Sequence, residues 1–397
     1  MALSIHKELN QVVFEEKLGV RKVLLNRPKT LNCLNYEMID KMLNKLQAYE
    51  NDPRVKLVIL KNKNPYVIYE SGHWSFGASF NRKILTLVYL LATYKKPLVP
   101  ILNGIVMGGG AGLSMHAKFR IVTEQTVFAM PEAAIGLFPD VGAPYFLSRL
   151  PGFFEYAGLT GTRLDGSEML ACGLATHFVH SKDLASLENE LESMSSRCAL
   201  DVPTISQVIN KFACEVPIKQ DSAYNRLEIV NSCFSRETVE EIISSLEKLA
   251  RKGERWIVEA INDMKAASPT SLKIFLRMIR EGRMQRLKGC LLCEYNVTVH
   301  ILQRTINDDF FEGSRAMIIE KDKKPRLLES ILFLINSVQC IDQFYSNFQY
   351  KNWNPSKLEV VTDEMVGQFF DKAEDDEWAA LDLPSRSESL CILQPRL

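Results

Sequence analysis

The sequence predicts an α/β fold whose first half alternates strands with helices and whose second half is helical. Three observations carry this reading. Residues 12–15 and 20–25 alternate apolar and polar side chains, like two half-buried strands about a turn at Gly19. Asn35 then opens a helical pattern in which Met38, Ile39, Met42, Leu43 and Leu46 recur at three- and four-residue spacing, and residues 55–60 return to a strand entered through Asp52-Pro53. Beyond about residue 195 the apolar period is that of helices, over 204–214, 238–249, 256–266 and 272–280. Further strands are expected at 98–101, 119–122 and 176–179.

The most informative stretch is 103–146. An apolar run, 98–106, is long enough for a buried strand and ends in Gly108-Gly109-Gly110, followed by Ala111-Gly112 and a helical segment to Phe119. Consecutive glycines at a strand-to-helix junction let a ligand touch the backbone, because no Cβ intervenes. The N–H groups at the start of the helix then point outward, where they suit a developing oxyanion. Further on, Pro131-Glu132 starts a short turn that Gly136 can close, and Asp140 follows Phe138-Pro139. Backbone donors and two carboxylates in one compact unit suggest acyl chemistry at a carbonyl. Each feature also has a plainer reading. The glycines allow close packing, Glu132 is favoured by a helix dipole, and Asp140 can serve as an N-cap. Their conjunction favours a site, since acids beside the apolar Phe128-Ala129-Met130 need a reason to be there.

The segment NGIVMGGGAGLSMHAKFRIVTE, followed by FAMPEAAIGLFPDVGAPYFLSRLPG, resembles the crotonase (enoyl-CoA hydratase/isomerase) superfamily. It is most similar to the 3-hydroxyisobutyryl-CoA hydrolase branch, particularly its plant members. The likeness extends to Leu25-Asn26-Arg27-Pro28-Lys29, to LTGTRLDGSEMLACGLATHFV, and to CFSRETVEEIISSLE, SPTSLKI and DFFEGSRAMIIEKDKKP. It implies a crotonase-like ββα spiral core with an acyl-CoA site over residues 1–195, and a helical C-terminal region over 196–397 that covers the site and helps to build homo-oligomers. It also implies hydrolysis of a short-chain 3-hydroxyacyl-CoA, 3-hydroxyisobutyryl-CoA to 3-hydroxyisobutyrate and CoA in valine catabolism. Glu132 would act as nucleophile or general base. Asp140 would contact the substrate hydroxyl or the attacking water, and Gly109, beside Gly108, would offer its N–H to the thioester oxygen. No cofactor is implied, because coenzyme A is part of the substrate. Hydratases carry a second glutamate in a GGGxE pattern; this chain has Gly112 at that position, and Asp140 in Gly-Leu-Phe-Pro-Asp marks the hydrolase branch.

Two departures from the family stand out. Relatives carry a loop of the type G-x-x-F-C-A-G-G-D that supplies one of two oxyanion donors. Residues 61–72 here hold no Ala-Gly-Gly-Asp, and Gly72 and Gly77-Ala78 are the nearby backbone candidates. Loss of one donor costs roughly 10²–10³ in turnover. The relatives' substrate-facing glutamate falls at Ile84, and an apolar, aromatic insert occupies 326–351 ahead of Trp353-Asn354-Pro355-Ser356. The alternatives are a catalytically impaired acyl-CoA-binding or assembly protein of this fold, as some plant relatives are in the mitochondrial ribosome, and an enoyl-CoA hydratase/isomerase.

With 48 acidic and 48 basic residues the chain has no net charge, so no overall field favours nucleic acid. Nine irregularly spaced cysteines argue for reduced thiols, and Cys290-x-x-Cys293 without a second pair argues against a metal site. Cys33 and Cys172 show no nucleophile–base spacing, and His116, His177 and His180 read as structural. No apolar run is long enough to span a membrane, and the first residues carry neither a signal core nor a presequence. The terminal Pro395-Arg396-Leu397 is a weak relative of Ser-Lys-Leu. With the branch's association with peroxisomes in plants, it points to that organelle ahead of the cytoplasm or mitochondrion.

Overall fold

The computed structural model describes residues 10–30, 32–62, 74–150, 155–197, 200–250, 253–319, 353–372 and 380–387. Its first strands, β1 (Val12–Lys17) and β2 (Val20–Leu25), form an antiparallel hairpin. The turn falls at Leu18-Gly19 as expected, with Leu18 in the left-handed region at φ +51°. Helix α1 (Tyr36–Asn51) is capped by Asn35, whose side chain accepts the Met38 N–H, and it buries the predicted apolar stripe. Strand β3 (Leu57–Asn62) starts two residues later than the sequence suggested and lies parallel to β2. Helix α2 (Trp74–Ala92) leads to β4 (Leu98–Leu102).

The apolar run 98–106 is two strands and not one. It breaks at Asn103-Gly104, where Gly104 takes φ +142°, and β5 (Ile105–Met107) continues in a different sheet. Helix α3 (Gly109–Ser114) follows and stops five residues short of Phe119. Next come β6 (Ile121–Val122), β7 (Val127–Ala129), a single 3₁₀ turn over Glu132–Ile135, α4 (Ala143–Leu147), α5 (Glu155–Thr160), β8 (Leu164–Asp165), α6 (Gly166–Cys172) and β9 (His177–Phe178). The large sheet has the order β1-β2-β3-β4-β6-β9 and is parallel after its first hairpin; the small one has the order β5-β7-β8. Each central turn of chain therefore places one strand in the large sheet, the next in the small sheet, and then a helical segment. This is the ββα spiral.

Both faces of the large sheet are covered, as a mostly parallel sheet requires. Side chains alternate along β3: Leu57 and Ile59 face one core, Val58 and Leu60 the other. The first core is closed by α7 (Leu184–Arg197) and α8 (Val202–Asn210) through Leu187, Leu191, Ile205 and Ile209. The second is larger and continues into the helices beyond residue 196: α9 (Leu227–Phe234), α10 (Val239–Ala250), α11 (Arg255–Ala266), α12 (Pro269–Gly282), α13 (Leu287–Leu302), α14 (Asp309–Ser314) and α15 (Asp363–Gln368). The spiral and the helical region thus share one hydrophobic core.

The insert at 326–351 lies outside the described residues. Immediately after it, Trp353 is 2% exposed and donates its indole N–H to the Ala266 carbonyl at 2.9 Å, while the Asn354 N–H donates to Asp309 Oδ1 at 2.9 Å. Residues 380–387 are tied down as well. Arg386 pairs with the buried Glu50 of α1, and Lys288 of α13 donates to the Leu383 carbonyl. Among the described residues no helix is long and apolar enough to cross a membrane, and no cluster of metal-ligating side chains occurs. Replacing Trp353 by Ala removes a buried ring and strands the Ala266 carbonyl. We expect equilibrium urea unfolding to report a loss of about 3–5 kcal/mol, and a loss below about 1 kcal/mol would show that this segment is not part of the core.

Candidate active site

The site forms where β5 hands over to α3. Gly108 has φ +50°, a conformation that L side chains rarely adopt, and a Cβ there would stand 3.0 Å from Glu132 Oε1. Only glycine both makes this bend and leaves room for the carboxylate. Gly109 is the first residue of α3, so its N–H has no acceptor within the helix.

Glu132 opens the 3₁₀ turn that Pro131 and Gly136 were expected to delimit, and Gly136 does close it with φ +75°. The turn is held from outside by the carboxy-terminal helices. The Ser268 N–H donates to the Ala133 carbonyl at 3.0 Å. A Cβ at Gly136 would stand 2.3 Å from the Asp309 backbone, and one at Gly313 would stand 2.4 Å from the Ile135 carbonyl oxygen. Asp309 itself accepts from Ser268 Oγ at 2.6 Å and from Asn354, and burial pushes its carboxyl up to about 6. The turn carrying Glu132 is therefore wedged between the spiral and α14.

Glu132 is 6% exposed, and its Oε2 accepts no hydrogen bond among the described residues. Burial raises its pKa well above the ordinary carboxylate range, and the negative charge of Asp140 raises it further. Asp140 is 5% exposed. It is not the cap of α4, whose N-cap is Gly142. The structure thus gathers Gly108, Gly109, Glu132 and Asp140 into one place; Glu132 does open its turn as the plainer reading had it, whereas the cap reading of Asp140 does not hold.

Other candidates fall away. Ile84, the position at which the resemblance led to the expectation of a glutamate, is fully buried in the core. Gly77 lies within α2, where a Cβ would stand 3.1 Å from Leu302 of α13, so it serves a helix crossing. Gly72 and the rest of 63–73 lie outside the described residues. Cys33 and Cys172 are buried, and burial pushes the Cys172 thiol up to about 12. His177 pairs with Thr176 Oγ1 at 2.8 Å, and His180 lies on the surface 3.6 Å from Glu124. His116 is packed against Phe146, and burial lowers its pKa to about 4, so its ring is neutral. A cavity of about 380 Å³ opens behind the Glu132 turn between Pro131, Ala133 and Ala134 on one side and Asp263 and Ala266 of α11 on the other. Neither Glu132 nor Asp140 lines it.

Sequence reasoning missed two participants, Glu294 on α13 and Val141. Glu294 is an acid inside the run Leu291-Leu292-Cys293-Glu294-Tyr295, and that incongruity was the available signal. It is fully buried, and both of its oxygens accept the Gly142 N–H, at 3.1 and 3.0 Å. Val141 has φ +53°, which is strained for a β-branched residue, and its side chain presses on α3: a Cβ at Gly112 would stand 2.6 Å from Val141 Cβ.

The family model for enoyl-CoA hydratase/isomerase matches residues 20–332. The chain belongs to the enoyl-CoA hydratase/isomerase family. Within the family, it is 47% identical to a probable 3-hydroxyisobutyryl-CoA hydrolase 3 of Arabidopsis thaliana over 95% of this chain and 96% of that one. It is 33% identical to the small ribosomal subunit protein mS47 of the same plant, over 95% and 88%. A carnitinyl-CoA dehydratase from Mycobacterium thermoresistibile has the same fold, with a TM-score of 0.73, 27% identity, and coverage of 94% and 99%. The crotonase-like architecture expected from the sequence is the one observed.

The environment of Glu132 has a consequence for stability. Its folded-state pKa exceeds the unfolded one, so the folded chain holds this proton more tightly, and stability is lost as pH rises from the ordinary carboxylate pKa through the raised one. Glu132→Gln removes that loss. Melting curves should show the variant gaining on the native protein as pH rises through this window; a difference independent of pH would refute the buried, proton-retaining carboxyl.

Proposed function

We propose that this protein hydrolyses short-chain 3-hydroxyacyl-CoA thioesters, 3-hydroxyisobutyryl-CoA foremost, in the breakdown of valine. The observation that carries the proposal is the buried carboxylate of Glu132, with one oxygen unpartnered among the described residues, lying beside Gly108, where a Cβ would stand 3.0 Å from its Oε1, with Asp140 close enough to perturb it. The name of the Arabidopsis relative supports the same substrate.

In this reading the Gly109 N–H meets the thioester oxygen, where negative charge develops as the carbonyl is attacked. Glu132 acts in its ionised form. It either attacks the carbonyl carbon to give an acyl-enzyme anhydride that water then opens, or it takes a proton from the water that attacks. Either way the C–S bond breaks, the CoA thiolate leaves and collects a proton, and the hydroxy acid is released. Asp140 holds the substrate hydroxyl or the water. No cofactor is needed beyond the CoA of the substrate.

Hydration is disfavoured by a specific contact. Val141 fills the space above Gly112, where a hydratase would carry its second glutamate. A second reading, acyl-CoA binding without turnover, is favoured by Ile84 in place of the substrate-facing acid and by the absence of Ala-Gly-Gly-Asp from 61–72.

Thioesterase assays with 3-hydroxyisobutyryl-CoA separate the two readings. Glu132→Gln should lower kcat by about 10²–10⁴, whereas native and variant rates that are equal and negligible would leave binding as the function. The acid limb of the native rate profile should lie above the ordinary carboxylate range, because only ionised Glu132 acts. Asp140→Asn removes the neighbouring negative charge and should move that limb to lower pH, in addition to slowing the reaction. An unmoved limb would show that the two acids do not interact. The terminal Pro395-Arg396-Leu397 is proposed as a peroxisomal address; a fluorescent protein ending in these residues that stays diffuse in plant cells would refute it.

A further inference from the structure

The peptide unit between Val141 and Gly142 is gripped at both ends by buried side chains. On one side the neutral His116 ring donates Nε2–H to the Val141 carbonyl at 3.4 Å; on the other the Gly142 N–H donates to both oxygens of Glu294. The packing leaves no slack, since a Cβ at Gly142 would stand 2.4 Å from His116 Nε2. Two consecutive residues here are left-handed, Val141 at φ +53° and Gly142 at φ +88°. A β-branched residue in that region is strained and persists only where its surroundings over-determine it.

We propose that Glu294 is a positioning residue of the active site: by holding the Gly142 N–H opposite His116, it locks the strained Val141 turn and so fixes Asp140 against Glu132. The inference rests on the hydrolase reading above, in which Asp140 contacts the reacting water or the substrate hydroxyl.

Three observations support it. First, a carboxyl buried on α13 is costly to desolvate, so its presence calls for a role. Second, Glu294 is close enough for Asp140 to raise its pKa, in addition to the larger effect of burial, so the group lies beside the Glu132–Asp140 pair and not in remote core. Third, the turn it holds is the one that carries Asp140, one residue before the gripped peptide. Relaxing Val141 to an ordinary φ would swing Asp140 away, and a misplacement of about 1 Å near reacting atoms can cost 10²-fold in rate.

The test compares Glu294→Leu, Glu294→Gln and Glu132→Gln with the native protein in the 3-hydroxyisobutyryl-CoA assay, on samples shown to be folded by circular dichroism. Glu294→Leu removes the acceptor and should lower kcat by about 10²-fold, with KM within about threefold. Glu294→Gln keeps an acceptor oxygen for Gly142 and should restore kcat to within about tenfold of native. A merely structural Glu294 would lower the melting temperature and leave kcat of the folded protein unchanged. If Glu294→Leu does not fold, Glu294→Asp takes its place, because its shorter side chain withdraws the acceptor while keeping a carboxyl. Native kcat in folded Glu294→Leu, or in Glu294→Asp where that substitute is used, overturns this inference alone, provided Glu132→Gln is inactive. Failure of Gln to rescue overturns it as well. A native rate no higher than that of Glu132→Gln removes the hydrolase reading and this inference with it.

Discussion

The structure depends on keeping one carboxylate out of water beside bare backbone. A desolvated carboxyl with no hydrogen bond to one of its oxygens is an expensive arrangement, and left alone the Glu132 turn would rotate toward solvent. Several unrelated parts of the chain prevent this. Gly108 gives way in front of it, Gly136 closes the turn behind it, and α14 blocks the remaining direction through Asp309 and Gly313. The same confinement raises the proton affinity of Glu132 and leaves a lone pair unengaged, which are the properties asked of a nucleophile or base. Stability is surrendered locally and recovered from the shared core.

That core explains why the helical region is more than a cover. Helix α13 contributes Leu302 to the crossing with α2 and Glu294 to the turn after Asp140, while Ser268, the N-cap of α12, holds the Ala133 carbonyl through its N–H. Trp353 and Asn354 then anchor the chain on Ala266 and Asp309, so the residues after the long insert rejoin the same scaffold that fixes the candidate site. The segment 380–387 extends the bracing to α1 through Arg386 and Glu50. Changes at positions far apart in sequence should therefore converge on the geometry of one turn.

The fit between Gly112 and Val141 is likewise a matter of packing. At Gly112 the absence of a side chain is paired with the presence of Val141 above it, and the two features require each other. Introducing an acid at Gly112 without removing Val141 would create a clash and not a hydratase. At Ile84, where the resemblance led to the expectation of an acid, the side chain is apolar and adds to the packing of α2.

The fold family was legible through the resemblance of its motifs; the sequence by itself determined the strand–glycine–helix junction at Gly108 to Gly110 and the turn from Glu132 to Gly136, because each has a local signature, glycine where φ is positive and proline at a turn. It misjudged the run 98–106 as a single strand, since an unbroken apolar stretch does not disclose which of two sheets each half will join. It also left Glu294 unnoticed, and could not have ranked Val141. Their importance arises from φ values and from contacts between residues more than 150 positions apart, as between Gly142 and Glu294. Only the tertiary structure decided that Asp140 is held in a strained turn and not used as a cap, because burial and opposing hydrogen bonds belong to the assembled core and to no segment of it.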